Sequence, residues 1–159
     1  MKRATKSAPP RPAGHELLKL DNQLCFAIYA ATRMITRAYR EKLHSIGLTY
    51  PQYLVLIVLW ENDGLTISEI GRRLVLDSGT LTPLVKRLEG MKIVRRQRST
   101  SDEREVRVWL CPKGLDLQNK ALDARRFVAY RLDMTQTEIL AFRVNFMDIV
   151  GRLGAECAG

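Results

Sequence analysis

Two sets of residues in this sequence carry chemistry of their own. Cys25 falls in the first turn of a long helix that Asp21 or Asn22 can cap. Unpaired backbone amides and the helix dipole there favour an anion, hence thiolate over thiol. A packing role is the opposing reading, since a free cysteine is among the most buried residue types and is usually inert. The second set is a face rather than a point: Ser78, Thr80, Thr82, Lys86 and Arg87 share one side of a helix that has no acid until Glu89. Short hydrogen-bonding groups and cations without a competing carboxylate suit entry into a major groove, with phosphate contacts on the way.

The elements that must position this face run from Leu65 to Cys111. Thr66 and Glu69 form a capping box, which starts a short helix with Ile67, Ile70 and Leu74 turned inward. A break at Val75 and Leu76 leads to Asp77 and Ser78. A second helix follows, in which Leu81, Leu84, Val85 and Leu88 recur at helical spacing. Pro83 constrains its start to Ser78–Thr80, and Gly90 ends it. The period then changes to two. Ile93 to Arg98 and Arg104 to Leu110 make a hairpin whose arms carry Arg95, Arg96, Arg98, Arg104 and Arg107, with Val106, Val108 and Leu110 on one face. Such a basic hairpin after a helix-turn-helix reads as a wing along a DNA backbone or minor groove.

Flanking helices complete the pattern. Leu24, Ile28, Ala31, Ile35 and Ala38 recur along the first, which should stop near Gly47. Leu48 to Trp60 is apolar nearly all round, with Thr49 as its cap, Pro51 in its first turn, and Tyr50 and Tyr53 needing partners at its entrance. Past the wing, Pro112, Lys113 and Gly114 break the chain before a helix with a Leu117, Ala121, Ala124, Val128, Leu132 stripe. Thr135 and Glu138 box the last helix, whose Ile139, Phe142, Phe146, Ile149 and Leu153 are widened by Leu140, Met147 and Val150. That is more apolar surface than one neighbour covers, so the terminal helices suggest a symmetric dimer with two recognition helices about one DNA turn apart. The expected architecture is therefore mainly α with a small β-hairpin wing, a dimeric winged helix-turn-helix. Residues 1–14 should be a disordered basic arm and residues 15–159 one domain. Within it, 48–111 form the winged lobe, and 15–47 and 115–153 the dimerisation helices.

Composition bounds the function. The 159 residues hold 26 Lys and Arg against 17 acids, a net charge of +9, which points to a polyanionic partner. The longest apolar run, Leu54 to Trp60, is about a third of the roughly 20 residues needed to span a bilayer, and the Lys- and Pro-rich start has no apolar signal core. Cys25, Cys111 and Cys157 are too far apart for a disulfide framework or a zinc motif. A cytoplasmic protein without metal or cofactor is expected.

The order of elements and the residues themselves resemble the MarR family of winged-helix regulators from Asp21 to Leu153. The closer match is to its organic-hydroperoxide-sensing, OhrR-type branch. LCFAIY at Leu24–Tyr29, LTYPQYLVLIVLW at Leu48–Trp60, DSGTLTPLVKRLE at Asp77–Glu89 and DEREVRVWL at Asp102–Leu110 carry the resemblance. It implies a repressor homodimer whose reduced form holds a pseudo-palindromic DNA operator. Cys25 would be the peroxide-reacting thiol, and Tyr39 and Tyr50, from the partner subunit, would donate hydrogen bonds to it; Tyr29 also matches. Ser78, Thr80, Thr82, Lys86 and Arg87 of the recognition helix and Arg98 and Arg104 of the wing are the expected DNA contacts, and the family's Asp-x-Arg pattern implies that Asp102 supports the wing through an arginine. Some members carry a resolving cysteine near the position of Tyr130, where this chain has none. Cys111 reads as a packing residue and Cys157 as a candidate resolving thiol. The preferred expectation is a mixed disulfide of Cys25 with a small thiol, or further oxidation.

Three rivals stand beside this reading. A family member released by a small apolar or phenolic ligand would leave Cys25 a bystander. A turning-over thiol peroxidase would lack a clear second redox cysteine and leave the basic wing without purpose. A membrane-surface role conflicts with basic groups placed on a helix-turn-helix and hairpin rather than one amphipathic face.

Overall fold

The computed structural model describes residues 14–98 and 105–156, and the chain divides into two units, Met1–Ala38 and Tyr39–Gly159. The basic arm expected at 1–14, apart from Gly14, lies outside the described residues, as do Asp102, Arg104 and Cys157.

The first unit holds two short 3-10 turns, His15–Leu18 and Leu20–Asn22, and most of helix α1 (Leu24–His44). The cap expected at Asp21 or Asn22 is not formed by either. Both are taken into the second turn, where the Asn22 side-chain Nδ2 donates to Glu16 O at 2.8 Å. Extended Gln23 precedes the helix instead, and its carbonyl accepts from Ala27 N at 3.2 Å. Local hydrogen bonding of the short polar side chain has outcompeted the cap. The last turns of α1 belong to the second unit, and the helix stops at His44, with Gly47 at φ 74 closing the turn.

The second unit is organised around helix α2 (Tyr50–Glu61), the most enclosed element, as its sequence predicts. Thr49 precedes it, and the Thr49 amide donates to Gln52 Oε1 at 2.9 Å. Val55, Leu56 and Leu59 are fully or nearly fully buried. They share one core with Ile70, Leu81, Val85 and Leu88 of the next two helices, with Val108, and with Leu117, Ala121 and Ala124. Each buried leucine contributes on the order of 1.5–3 kcal/mol. That decides the matter for helix α3 (Ile67–Leu74), whose eight residues are too few to hold a helix alone.

Helix α3 carries the expected box: Thr66 N donates to Glu69 Oε2 at 2.7 Å and Glu69 N to Thr66 Oγ1 at 3.1 Å. It ends at Val75, an exposed β-branched residue at φ 55, after which Leu76 N returns to Gly71 O at 2.9 Å. Left-handed backbone at valine is strained. The turn is drawn so tight that a Cβ on Gly71 would sit 2.7 Å from Leu76 O. Helix α4 (Ser78–Gly90) follows with Asp77 as its cap and Pro83 inside.

The wing is a three-stranded antiparallel sheet rather than the expected hairpin alone. Strands β2 (Val94–Arg98) and β3 (Val106–Leu110) pair as predicted, and β1 (Leu65–Thr66) adds on the other side of β3, giving the order β1-β3-β2. Two residues leave no period to read, and Leu65 is a strand only because Val108 lies opposite it. Asp63 fastens this corner, its Oδ1 accepting from Gly64 N at 2.9 Å and from Leu110 N at 2.8 Å.

Helix α5 (Pro112–Leu132) also corrects the sequence reading. Pro112, Lys113 and Gly114 are its first turn rather than a break, with Cys111 before it, because a proline at the first helical position loses no bond the helix would have made. Leu117, Ala121 and Ala124 pack into the α2 core, so α5 is as much part of the lobe as an outlying helix. Trp60 Nε1 donates to Gly114 O at 3.0 Å and ties the two. Helix α6 (Gln136–Glu156) starts from the Thr135–Glu138 box and leaves Leu140, Phe142, Phe146, Met147, Val150 and Leu153 exposed, with the two phenylalanine rings stacked 6.2 Å apart.

Gly71→Ala is expected to cost about 1–3 kcal/mol in urea unfolding, because its Cβ meets a backbone carbonyl that moves only if the helix-turn-helix opens. Unchanged stability would mean that close approach does not set the turn.

Candidate nucleic-acid interface and thiol site

Helix α4 presents two faces. Leu81, Val85 and Leu88 are fully buried, whereas Ser78, Thr80, Lys86 and Arg87 are exposed and Thr82 is half-exposed. The predicted polar residues thus share the outer face. Thr80 has a local task as well: its amide donates to Asp77 Oδ1 at 2.8 Å and its hydroxyl to Asp77 Oδ2 at 2.9 Å. Its hydroxyl proton is therefore spent on the cap, leaving oxygen lone pairs facing outward. These bonds to the Thr80 amide and hydroxyl hold the Asp77 carboxyl below its usual range.

Sequence reasoning noted Glu89 only as the first acid of α4 and missed what it does. Its carboxylate accepts from Arg96 N at 3.1 Å and from Arg96 Nε at 2.8 Å, and Arg96 Nη2 lies 2.6 Å from Oε2. The side-chain bond from Arg96 is the main reason the Glu89 carboxyl sits below its ordinary range. A fork with an added backbone donor fixes direction as well as distance, so α4 and β2 are latched together and the helix's one carboxylate is neutralised. Arg107 is likewise engaged, donating to Gly64 O at 3.1 Å, and Arg95 stands 5.5 Å over the Trp109 ring. Arg98 is exposed at the end of β2. Of the predicted wing contacts, Arg98 is placed, while Arg104 and its support Asp102 fall outside the described residues.

Of the predicted thiol-site residues, the first unit contains Cys25 and Tyr29. Cys25 is exposed, the second residue of α1, in a first turn without an acid. Tyr29 is exposed one turn on, and its Oη accepts from Arg33 Nη1 at 2.8 Å. Cys111 is half-buried at the head of α5, in keeping with a packing role. Cys157 is outside the described residues.

The second unit brings Tyr39 and Tyr50 together, with ring centroids 5.1 Å apart. Two aromatic residues not singled out for the site join them. Tyr53 stands 5.5 Å from Tyr39 and 6.1 Å from Tyr50, and Trp60 stands 6.4 Å from Tyr53. The i, i+3 spacing of Tyr50 and Tyr53 was the available signal; nothing local pointed to Tyr39 joining them. Burial pushes the Tyr39 phenol up to about 12, with the neighbouring Tyr53 phenol adding to the rise and the Arg125 cation opposing it. Burial raises Tyr50 and Tyr53 as well. The cluster is a set of neutral phenols, donors suited to an anion.

Residues 48–106 match the model of the MarR family. The organic hydroperoxide resistance transcriptional regulator of Bacillus subtilis is 48% identical over 106 residues, which are 67% of this chain and 72% of that protein. The HTH-type transcriptional regulator TtmR of Methylorubrum extorquens is 60% identical over 101 residues, 64% of this chain, and the match spans about half, 52%, of its length. Among solved structures, reduced AbfR bound to DNA, a Staphylococcus epidermidis protein, superposes with a TM-score of 0.73 at 37% identity, covering 87% of this chain and 96% of that one.

The phenol at Tyr39 gives a pH dependence with a definite sign. Its proton is held more tightly in the fold than in the unfolded chain, so its contribution to stability is complete below pH 10.0 and is lost as pH rises from there through about 12. An ultraviolet phenolate titration is expected to show a step near pH 12 that Tyr39→Phe lacks; the same step in the variant would place that proton elsewhere.

Proposed function

The chain belongs to the MarR family of transcriptional regulators, in its organic-hydroperoxide-resistance branch, and we propose that it is a repressor that holds a pseudo-palindromic operator as a homodimer and releases it when an organic hydroperoxide oxidises Cys25. Such regulators are not enzymes: the peroxide is a signal consumed once per thiol.

The observation that carries the DNA half is the outer face of α4, with Ser78, Thr80, Thr82, Lys86 and Arg87 outward and its only acid folded back onto Arg96. A groove-entering helix needs donors, acceptors and cations without a free carboxylate to repel phosphate. Arg98, exposed at the end of β2, extends the contact along the backbone. The exposed apolar face of α6 is the surface a second copy would cover, and two copies space two such helices for a two-fold site.

The redox half is supported by the hydroperoxide-resistance relative and by an exposed thiol at a helix start. The Cys25 thiolate attacks the terminal peroxide oxygen. An S–O bond forms, the O–O bond breaks, and the alkoxide leaves and takes a proton to become an alcohol. Sulfur is oxidised by two electrons to sulfenic acid as the peroxide is reduced. A small thiol then condenses with the sulfenic acid, forming a mixed disulfide and water. Tyr29, together with the partner subunit's Tyr39 and Tyr50, serves as donor to the thiolate, and loss of that acceptor is what the dimer registers.

Operator-fragment binding by the unaltered protein and by Cys25→Ser, before and after one equivalent of cumene hydroperoxide, tests this directly. Release is expected from the unaltered protein alone. Release from both variants would remove Cys25 from the signal, and retention by both would turn the search to a non-covalent ligand. Lys86→Ala is expected to weaken binding across sequences and to lower the salt slope by about one. An unchanged slope would take Lys86 off the phosphate backbone.

A further inference from the structure

Cys25, Tyr29 and Arg33 stand at i, i+4 and i+8 on α1, so successive turns of one helix face carry a thiol, a phenol and a guanidinium. Helical side chains lean toward the N-terminus. Arg33 is thereby set over the turn of Tyr29, and Tyr29 over the turn of Cys25. The first of these relations is made in full: Arg33 Nη1 donates to Tyr29 Oη at 2.8 Å, and the guanidinium carbon stands 5.5 Å from the ring centroid. Helix α1 has no acid before Glu41. The cation at Arg33 has a phenol for its partner where a carboxylate would be the common one.

The direction of this bond has chemical content. A guanidinium has donors only, so the phenol oxygen is the acceptor and its own proton is left for a different acceptor. Linked hydrogen bonds polarise one another, so a phenol that accepts from a cation becomes a stronger donor.

We infer that Arg33 is a positioning residue for Cys25, holding the Tyr29 oxygen from behind so that the phenol proton is presented to the thiolate one turn before it. The inference rests on the reading of Cys25 as the peroxide-reactive thiol. No bond to Arg33 or Tyr29 is made or broken; the pair supplies orientation and a strengthened hydrogen bond.

The experiment measures the rate of Cys25 sulfenic acid formation with cumene hydroperoxide, trapped by a dimedone probe, in the full-length chain. Arg33→Met and Arg33→Gln are each expected to slow the reaction roughly threefold to fivefold, the scale of a solvent-facing charged contact. Arg33→Lys, which keeps a charged donor, is expected to recover part of the loss. In a Tyr29→Phe background, Arg33→Met is expected to change nothing further, an outcome that a merely structural role would not produce. Undiminished rates in both Arg33 variants, or the same slowing when Tyr29 is absent, would overturn the inference while leaving Cys25 the sensor. No sulfenic acid on Cys25 in the unaltered protein would instead sink the sensing reading beneath it.

Discussion

Strand β3 has to satisfy two neighbours at once, and the placement of helix α4 and the wing depends on it. Val108 pairs with Leu65 on one side and with Arg96 on the other. The entry to the helix-turn-helix and the wing are thus joined through one five-residue strand. Asp63 at one end accepts from Leu110 N, and Arg107 reaches Gly64 O. These bonds cross more than forty residues of sequence, so a shift of β3 by one residue would turn Val108 out of the core and misplace both partners. The Glu89–Arg96 fork then adds α4 to the same frame. Helix α4 and strands β2 and β3 are therefore held in one frame.

What the sequence disclosed and what it hid divide by range. Capping boxes at Thr66–Glu69 and Thr135–Glu138 are contained in four residues each, and both were legible. So were the buried faces of α2, α4 and α5, because helical period is a local property. The lost cap at Asp21 and Asn22 shows the limit even of local signals, since another local bond, from Asn22 to Glu16 O, competes for the same side chain. Strand β1 has no signal of its own, and Pro112 reads equally as a break or as a first helical residue until the chain beyond it is seen to pack.

The site divides the same way. The outward chemistry of α4 could be read from residue types, but the partner of its one acid could not, because Glu89 and Arg96 come together only when β2 folds back beside the helix. Tyr39 lies on α1 and Tyr50 and Tyr53 on α2, and no pattern within either helix says that the three rings meet. Trp60 was visible only as apolar bulk, although its indole proton is what ties α2 to α5. A polar handle on a buried aromatic ring needs a partner, and the sequence states the need without saying where the partner lies.

The order β1-β3-β2 leaves β2 on the rim of the sheet, with one row of backbone donors and acceptors unpaired by any strand among the described residues. Such a rim is a template on which a stray strand of another molecule can grow, and sheet proteins that stay dispersed must blunt it. Here Arg95 and Arg98 are both exposed on that strand. Two copies meeting rim to rim would bring these exposed arginines against one another, whereas a polyanion approaching the same strand meets no such barrier. The exposed cations of β2 therefore keep crowded copies of the protein from stitching into a common sheet.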